Sequence, residues 1–148
     1  MAKASVIITC ITCGKDFRHE AFRANRREAD SYAEWAKDHI TTCPECYRAQ
    51  QAAAAETRYA ERCTTLGLPE LSGVSDKQIS YAHKVRREFL ADHYAAVEQW
   101  TTLFRHPDFA QVLPETIDAA RAQSREMDRA YVVATETNAG KLLDSLTK

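Results

Sequence analysis

Cys10-Ile11-Thr12-Cys13-Gly14 and Cys43-Pro44-Glu45-Cys46 are the stretches whose reading decides how this chain folds. Two sulfurs three positions apart on a tight turn can face one point, and the amides of the turn stabilise their negative charge. Gly14 supplies permissive backbone directly after the first pair. Two such turns complete a tetrahedron of thiolates, a shell that suits zinc at about 2.3 Å per bond. The spacing therefore predicts one Zn2+ ion on Cys10, Cys13, Cys43 and Cys46. With four sulfurs closing the shell no position is left for water, so the ion is expected to be structural rather than catalytic. Disulfides would suit an exported chain. A redox Cys-x-x-Cys would need only one of the two pairs.

Working outward, residues 5–9 (Ser-Val-Ile-Ile-Thr) are β-branched and read as a short strand leading into the first pair. Residues 15–18 can return as a second strand, with Phe17 packing beneath the site. Cys10-x-x-Cys13-Gly14 followed by an aromatic at Phe17 resembles the first half of the zinc-ribbon and zinc-knuckle class. That resemblance covers about a third of the chain. It implies a metal-holding module and is silent on activity, because this class serves DNA, RNA and protein partners alike. The sequence departs from the common pattern in its spacer: 29 residues (14–42) separate the pairs, against about 15–20 in the usual arrangement. The excess reads as a helix over 26–39, where Ala29, Tyr32, Ala36 and His39 or Ile40 recur at helical spacing with Trp35 at the edge.

The remainder is helical in pattern. Four glycines and four prolines in 148 residues leave little turn punctuation, which disfavours a sandwich or barrel of many short strands. Pro44 can open a helix, since a first-turn residue needs no amide donor. This helix is expected to run to about Thr65 and stop at Gly67, with a stripe of Ala52, Ala55, Tyr59, Cys63 and Leu66. Cys63 reads as an inert, buried thiol. Ser75-Asp76-Lys77-Gln78 forms a capping box for a helix ending before His106-Pro107, with Ile79, Ala82, Phe89, Leu90, Val97, Trp100 and Phe104 on its apolar face. Pro114 or Glu115 opens a last long helix, carrying Leu113, Ile117, Ala120, Met127, Tyr131 and Ala134, that Asn138 and Gly140 close. Residues 141–148 read as a frayed turn. The fold class is mainly α, with α+β character in the zinc module: a small N-terminal zinc-ribbon-like module followed by a bundle of long helices. The expected divisions are 1–48 for the metal module, 49–66 for a connecting helix, 67–74 for a linker, and 75–148 for a helical hairpin or bundle. Without metal the first part should unfold, being too short to hold itself together.

The layout as a whole also has a likeness. Cys-x-x-Cys-Gly with Cys-Pro-Glu-Cys, then Leu68-Pro69-Glu70-Leu71-Ser72-Gly73, then Lys77-Gln78-Ile79 on a helix ending in Val85-Arg86, resembles uncharacterised proteins of phages and mobile elements. The resemblance implies a shared source and architecture, not an activity.

For function, a formal charge of −1 gives no bulk attraction to nucleic acid. Within 15–27, however, Lys15, Arg18, Arg23, Arg26 and Arg27 face only Asp16 and Glu20, with Phe17 and Phe22 interleaved. This is either a phosphate-contacting edge or a solvated face beside the metal. Lys77, Lys84 and Arg87, with Tyr81 among them, form a second basic stretch without an acidic residue; it too could be an ordinary exposed face. Arg86 and His93 fall within the apolar stripe of their helix and need partners there; the alternative is a polar ligand site. Phosphate loops, nucleophile elbows and dinucleotide fingerprints are missing, and His19-Glu20-Ala21-Phe22-Arg23 fails the metalloprotease pattern at its last position. No apolar run approaches the ~18 residues of a membrane span, and the first residues lack the apolar stretch of a signal peptide, so a cytoplasmic protein of a bacterial host is expected. The reading is a non-enzymatic, zinc-stabilised protein that occludes a macromolecular partner, for which host-defence inhibition is one concrete form. A protein partner is favoured. Direct nucleic-acid binding through 15–27 and 77–87 is the alternative.

Overall fold

A computed structural model describes residues 1–148 as two strands, six α-helices and a short 3-10 turn. The chain divides into two compact units, 1–57 and 58–148, with the boundary inside a helix.

In the first unit, strand β1 (Ala2–Thr9) pairs antiparallel with β2 (Asp16–Arg23), from Ala2 opposite Arg23 to Thr9 opposite Asp16. Both strands outrun the expected 5–9 and 15–18. The reason lies in the inward face of β2. It alternates Phe17, His19, Ala21 and Arg23, so half of its inward positions are polar and the hydrophobic pattern hides the strand. Tyr32 satisfies both: its hydroxyl lies 3.0 Å from His19 Nε2, and the Arg23 guanidinium sits 3.7 Å over its ring. Helix α1 (Arg26–His39) covers this face as expected, burying Ala36 against Val6 and Ile8 with Phe17, Tyr32 and Ile40 around them. Asn25 caps it by accepting from the Glu28 amide.

Helix α2 (Pro44–Leu66) matches its expected span. Its stripe does not. Ala52 is exposed and Ala55 only half-buried; from Tyr47 to Arg58 no residue is buried. The alanine run therefore brings no neighbour close. It sustains an unpacked stretch of helix through intrinsic propensity alone. From Tyr59 onward the stripe is real: Tyr59 and Leu66 are buried and Cys63 packs beside them, only partly covered. Gly67, at φ +63°, ends the helix, with the Leu68 amide donating back to the Cys63 carbonyl.

The second unit packs the end of α2, α3 (Asp76–Arg105), α4 (Pro114–Arg121), α5 (Arg125–Thr135) and α6 (Ala139–Thr147) around Leu90, Val97, Trp100, Ala130 and Val133. The 67–74 segment is part of this unit. Leu71 is buried against Ala82, Ala139 and Leu142, and Ser72 bonds the Thr137 carbonyl and the Ala139 amide. Helix α3 begins, as expected, with the Ser75 hydroxyl accepting from the Gln78 amide. It bends at His93 (φ −126°, ψ 29°), and Arg62 donates to the Leu90 carbonyl one turn before the bend.

The expected last long helix, and with it the simple hairpin, is corrected: residues 114–147 form three helices. Ser124 caps α5 by accepting from Met127, and Asn138 caps α6 by accepting from Lys141. Asn138 and Gly140 thus open a helix where the sequence reading has them close one. The supposed frayed tail is α6, with Leu142 fully buried.

Candidate metal centre

The turn between β1 and β2 carries the first cysteine pair. Thr9 ends β1, the Cys10 amide donates to the Lys15 carbonyl, and Gly14, at φ +70°, donates to the Cys10 carbonyl. The left-handed Gly14 is what allows so short a reversal. The second pair sits at the start of α2, with Pro44 as its first residue. One backbone bond, from the Ile11 amide to the Thr41 carbonyl at 2.9 Å, joins the two loops.

The four Sγ atoms of Cys10, Cys13, Cys43 and Cys46 all lie within 4.8 Å of one another, with Cys13 and Cys43 4.0 Å apart. A tetrahedron with arms of about 2.3 Å has edges near ~3.8 Å, so the cluster can hold one metal ion. All five cysteines are free thiols. Cys10 and Cys43 are buried, Cys46 is half-buried and Cys13 is exposed, so the site opens on one side.

Backbone donors are already aimed at the sulfurs. The Cys43 amide lies 3.3 Å from Cys10 Sγ, and the Cys46 amide 3.4 Å from Cys43 Sγ. Cys43 thereby does for α2 what a serine or aspartate does at an ordinary helix start. The Cys43 amide above all, helped by those of Cys13 and Thr12, holds the Cys10 thiol down at about 6. Cys46 is pushed up to about 12 by sharing its proton with Cys43, by burial, and by the adjacent Cys13 and Cys10 sulfurs. The arrangement thus prepares one thiolate and resists the next. A divalent cation at the centre would remove that opposition and favour all four in the ionised form.

The other singled-out residues do not assemble into one surface. Arg18 lies on the outer face of β2, 3.9 Å from Glu20, which also pairs with Lys3 at 2.8 Å. Lys3 holds the Glu20 carboxyl below its usual range. Arg23 faces the opposite way, over Tyr32, and donates to the Phe22 carbonyl. Arg26 pairs with Asp30 at 3.1 Å, while Lys15 and Arg27 are exposed. On α3, Lys84 lies 4.0 Å from Glu88, Lys77 and Tyr81 are exposed, and Arg87 is half-buried.

Arg86 points inward, only 2% exposed, donating Nε–H to the Tyr59 hydroxyl and Nη1–H to the Pro69 carbonyl, each at 2.8 Å. It is a structural contact. His93 does not share its surroundings: it lies half-buried at the bend of α3, 3.1 Å from Glu126. Trp100 is buried, and its indole N–H donates to the Met127 carbonyl.

The sequence reading missed one arrangement. Tyr32, Trp35 and His39 stack along α1, with Arg23 on Tyr32. Their i, i+3, i+7 spacing was the available signal, but it also fits a core stripe.

These features define a module with a four-cysteine cluster able to hold a metal ion, joined in one chain to a helical unit with its own core. No protein-family model, curated protein or solved structure matches the chain. No helix is long and apolar enough to cross a membrane.

Proposed function

We propose that this is a non-enzymatic binding protein whose first unit is held together by one structural zinc ion, and which acts by occupying the surface of a protein partner. The observation that carries the reading is the sulfur cluster itself. Four thiolates at mutual distances below 4.8 Å fill a tetrahedral shell, and a filled shell gives the ion a structural rather than a catalytic part. Zinc suits an all-sulfur tetrahedron better than the oxygen-preferring divalent ions.

A protein partner is favoured over nucleic acid by charge. The first unit carries eight Lys and Arg against eight Asp and Glu. Arg18 and Arg23 lie on opposite faces of β2, Arg26 is paired with Asp30, and on α3 Lys84 lies 4.0 Å from Glu88. A phosphate-tracking surface would concentrate its basic residues. A phage- or mobile-element-borne inhibitor of host defence is one form of this function, resting on the layout of the sequence.

The test is capture of partners from bacterial lysate by the zinc-loaded chain, with and without nuclease. A protein retained after nuclease is the expected result. Loss of every partner on nuclease treatment, with binding that falls steeply as salt rises, would replace the reading by direct nucleic-acid binding.

A further inference from the structure

Tyr32 and Trp35 of the stack border a groove of about 680 Å3 that Arg23, Asn25, Arg27, Glu28 and Ser31 also line. Trp35 lies between Tyr32 (ring centroids 5.4 Å apart, 29° between planes) and His39 (4.7 Å, 12°), yet stays 46% exposed. Tyr32 in turn carries the Arg23 guanidinium 3.7 Å above its ring. Stacking fixes these side chains in place before any ligand arrives, which lowers the entropic cost of binding. Tryptophan, tyrosine and arginine are also the residues that most often dominate protein interfaces.

Charge says what the groove would take. Arg23 donates to one backbone carbonyl and faces no carboxylate. Arg27 is exposed and forms neither a hydrogen bond nor an ion pair. Their neighbour Arg26, outside the groove, is neutralised by Asp30. Glu28 also lines the groove, and its carboxylate, which accepts from the Asn25 side chain at 2.8 Å, offsets one of the two positive charges. The groove therefore keeps a net positive charge, with two guanidinium groups that form no ion pair beside the edge of an indole. Tyr32 and His39 both stack on Trp35, which leaves its indole little open face for a nucleobase. The guanidinium N–H groups match carboxylates and phosphates alike; with little open indole face for a base, and with a protein partner as the reading of the chain, a carboxylate-bearing peptide is the occupant.

We propose that this groove docks an acidic segment of a protein partner, with Arg23 and Arg27 each holding a carboxylate and the Trp35 edge packing against the residue between them. The proposal rests on the reading of the chain as a protein-binding protein, and it names the surface and the chemistry of the partner.

The two tryptophans allow a direct test. In a proton–nitrogen correlation spectrum of the zinc-loaded full chain, the Trp35 indole signal reports on the groove. The buried Trp100 signal is the internal control. The probes are an octapeptide of glutamates around one tyrosine, its lysine counterpart, and a single strand of thymidine nucleotides. The glutamate peptide should shift Trp35 saturably, leave Trp100 still, and have no lysine equivalent. Arg23→Lys should weaken this binding about tenfold, and Arg27→Glu should abolish it. An unmoved Trp35, an equal response in Arg27→Glu, or a response to the thymidine strand alone would overturn the proposal. Failure here is separable from failure of the function: if Arg27→Glu captures the same lysate protein as the wild type, the groove is wrong and the binding reading stands. If the wild type captures no protein, the function fails while the peptide titration still decides the groove.

Discussion

At the scale of single residues, the most consequential contact outside the sulfur cluster is between Tyr59 and Arg86. A guanidinium that is 2% exposed without a carboxylate partner is costly unless its donors are satisfied. Here a phenol oxygen and the Pro69 carbonyl satisfy it. The phenol can then donate its own hydrogen bond to His83 Nδ1, 2.9 Å away, which requires a neutral imidazole. Burial pushes the Tyr59 hydroxyl up to about 12 despite Arg86. Burial, with Arg86 adding to it, holds His83 below its ordinary 6.5. Tyr59→Phe should cost about 1–3 kcal/mol in urea unfolding, because it leaves a buried donor unpaired. For His83 the sign follows from its lowered pKa. The unfolded chain takes up a proton near 6.5 and the folded chain resists doing so, so stability is lost as pH falls below 6.5. Stability at pH 7.5 and 5.5 should differ less in His83→Gln than in the wild type. An equal difference would remove His83 from the account.

At the scale of elements, legibility tracked the kind of signal each segment carries. The starts of α2 and α3 stood out because Pro44 and the Ser75–Gln78 box are chemical punctuation. The stop at Gly67 was equally plain. The breaks inside 114–147 were not. Ser124 and Asn138 cap their helices without the acidic or amide residue three positions on that completes a box. An apolar pattern that continues across such breaks looks like one helix. The strands were shortened for a related reason: His19 and Arg23 face inward, made tolerable by Tyr32, a partner that no local pattern reveals. The alanine run of α2 misled in the opposite direction, since small side chains signal close approach only when a neighbour exists. Because that stretch is unpacked, Ala53→Gly should cost no more than about 1 kcal/mol, the bare difference in helix propensity. Denaturant midpoints would measure it, and a loss of several kcal/mol would mean that Ala53 packs against something.

At the scale of the whole molecule, the two units differ in what sustains them. The second has a continuous core from Tyr59 to Val133 that includes Trp100. The first has one hairpin, one covering helix and three buried core residues, Val6, Ile8 and Ala36, in its cluster. Apolar burial on that scale does not offset the conformational entropy of ordering some fifty residues. The sulfur cluster joins the hairpin turn to the start of α2, and a metal ion held there would supply the missing stabilisation. The ligands were readable in the sequence because the Cys-x-x-Cys spacing is set by the geometry of a turn. The long spacer was readable as α1 because helical periodicity survives whatever it packs against. The groove on α1 was not, since exposure decides whether Tyr32 and Trp35 are core or surface. Stripping the metal with a strong chelator should abolish the backbone signals of the first unit while leaving the Trp100 indole signal of the second. Simultaneous loss of both would show that the second unit depends on the first.

The central claim is that one metal ion on four sulfurs organises the first unit, and elemental analysis of the purified chain tests it most directly. The account predicts one zinc per chain, falling to a small fraction in Cys10→Ser and Cys43→Ser. Absence of stoichiometric metal from a folded wild-type chain, or an unchanged metal content in both variants, would contradict it.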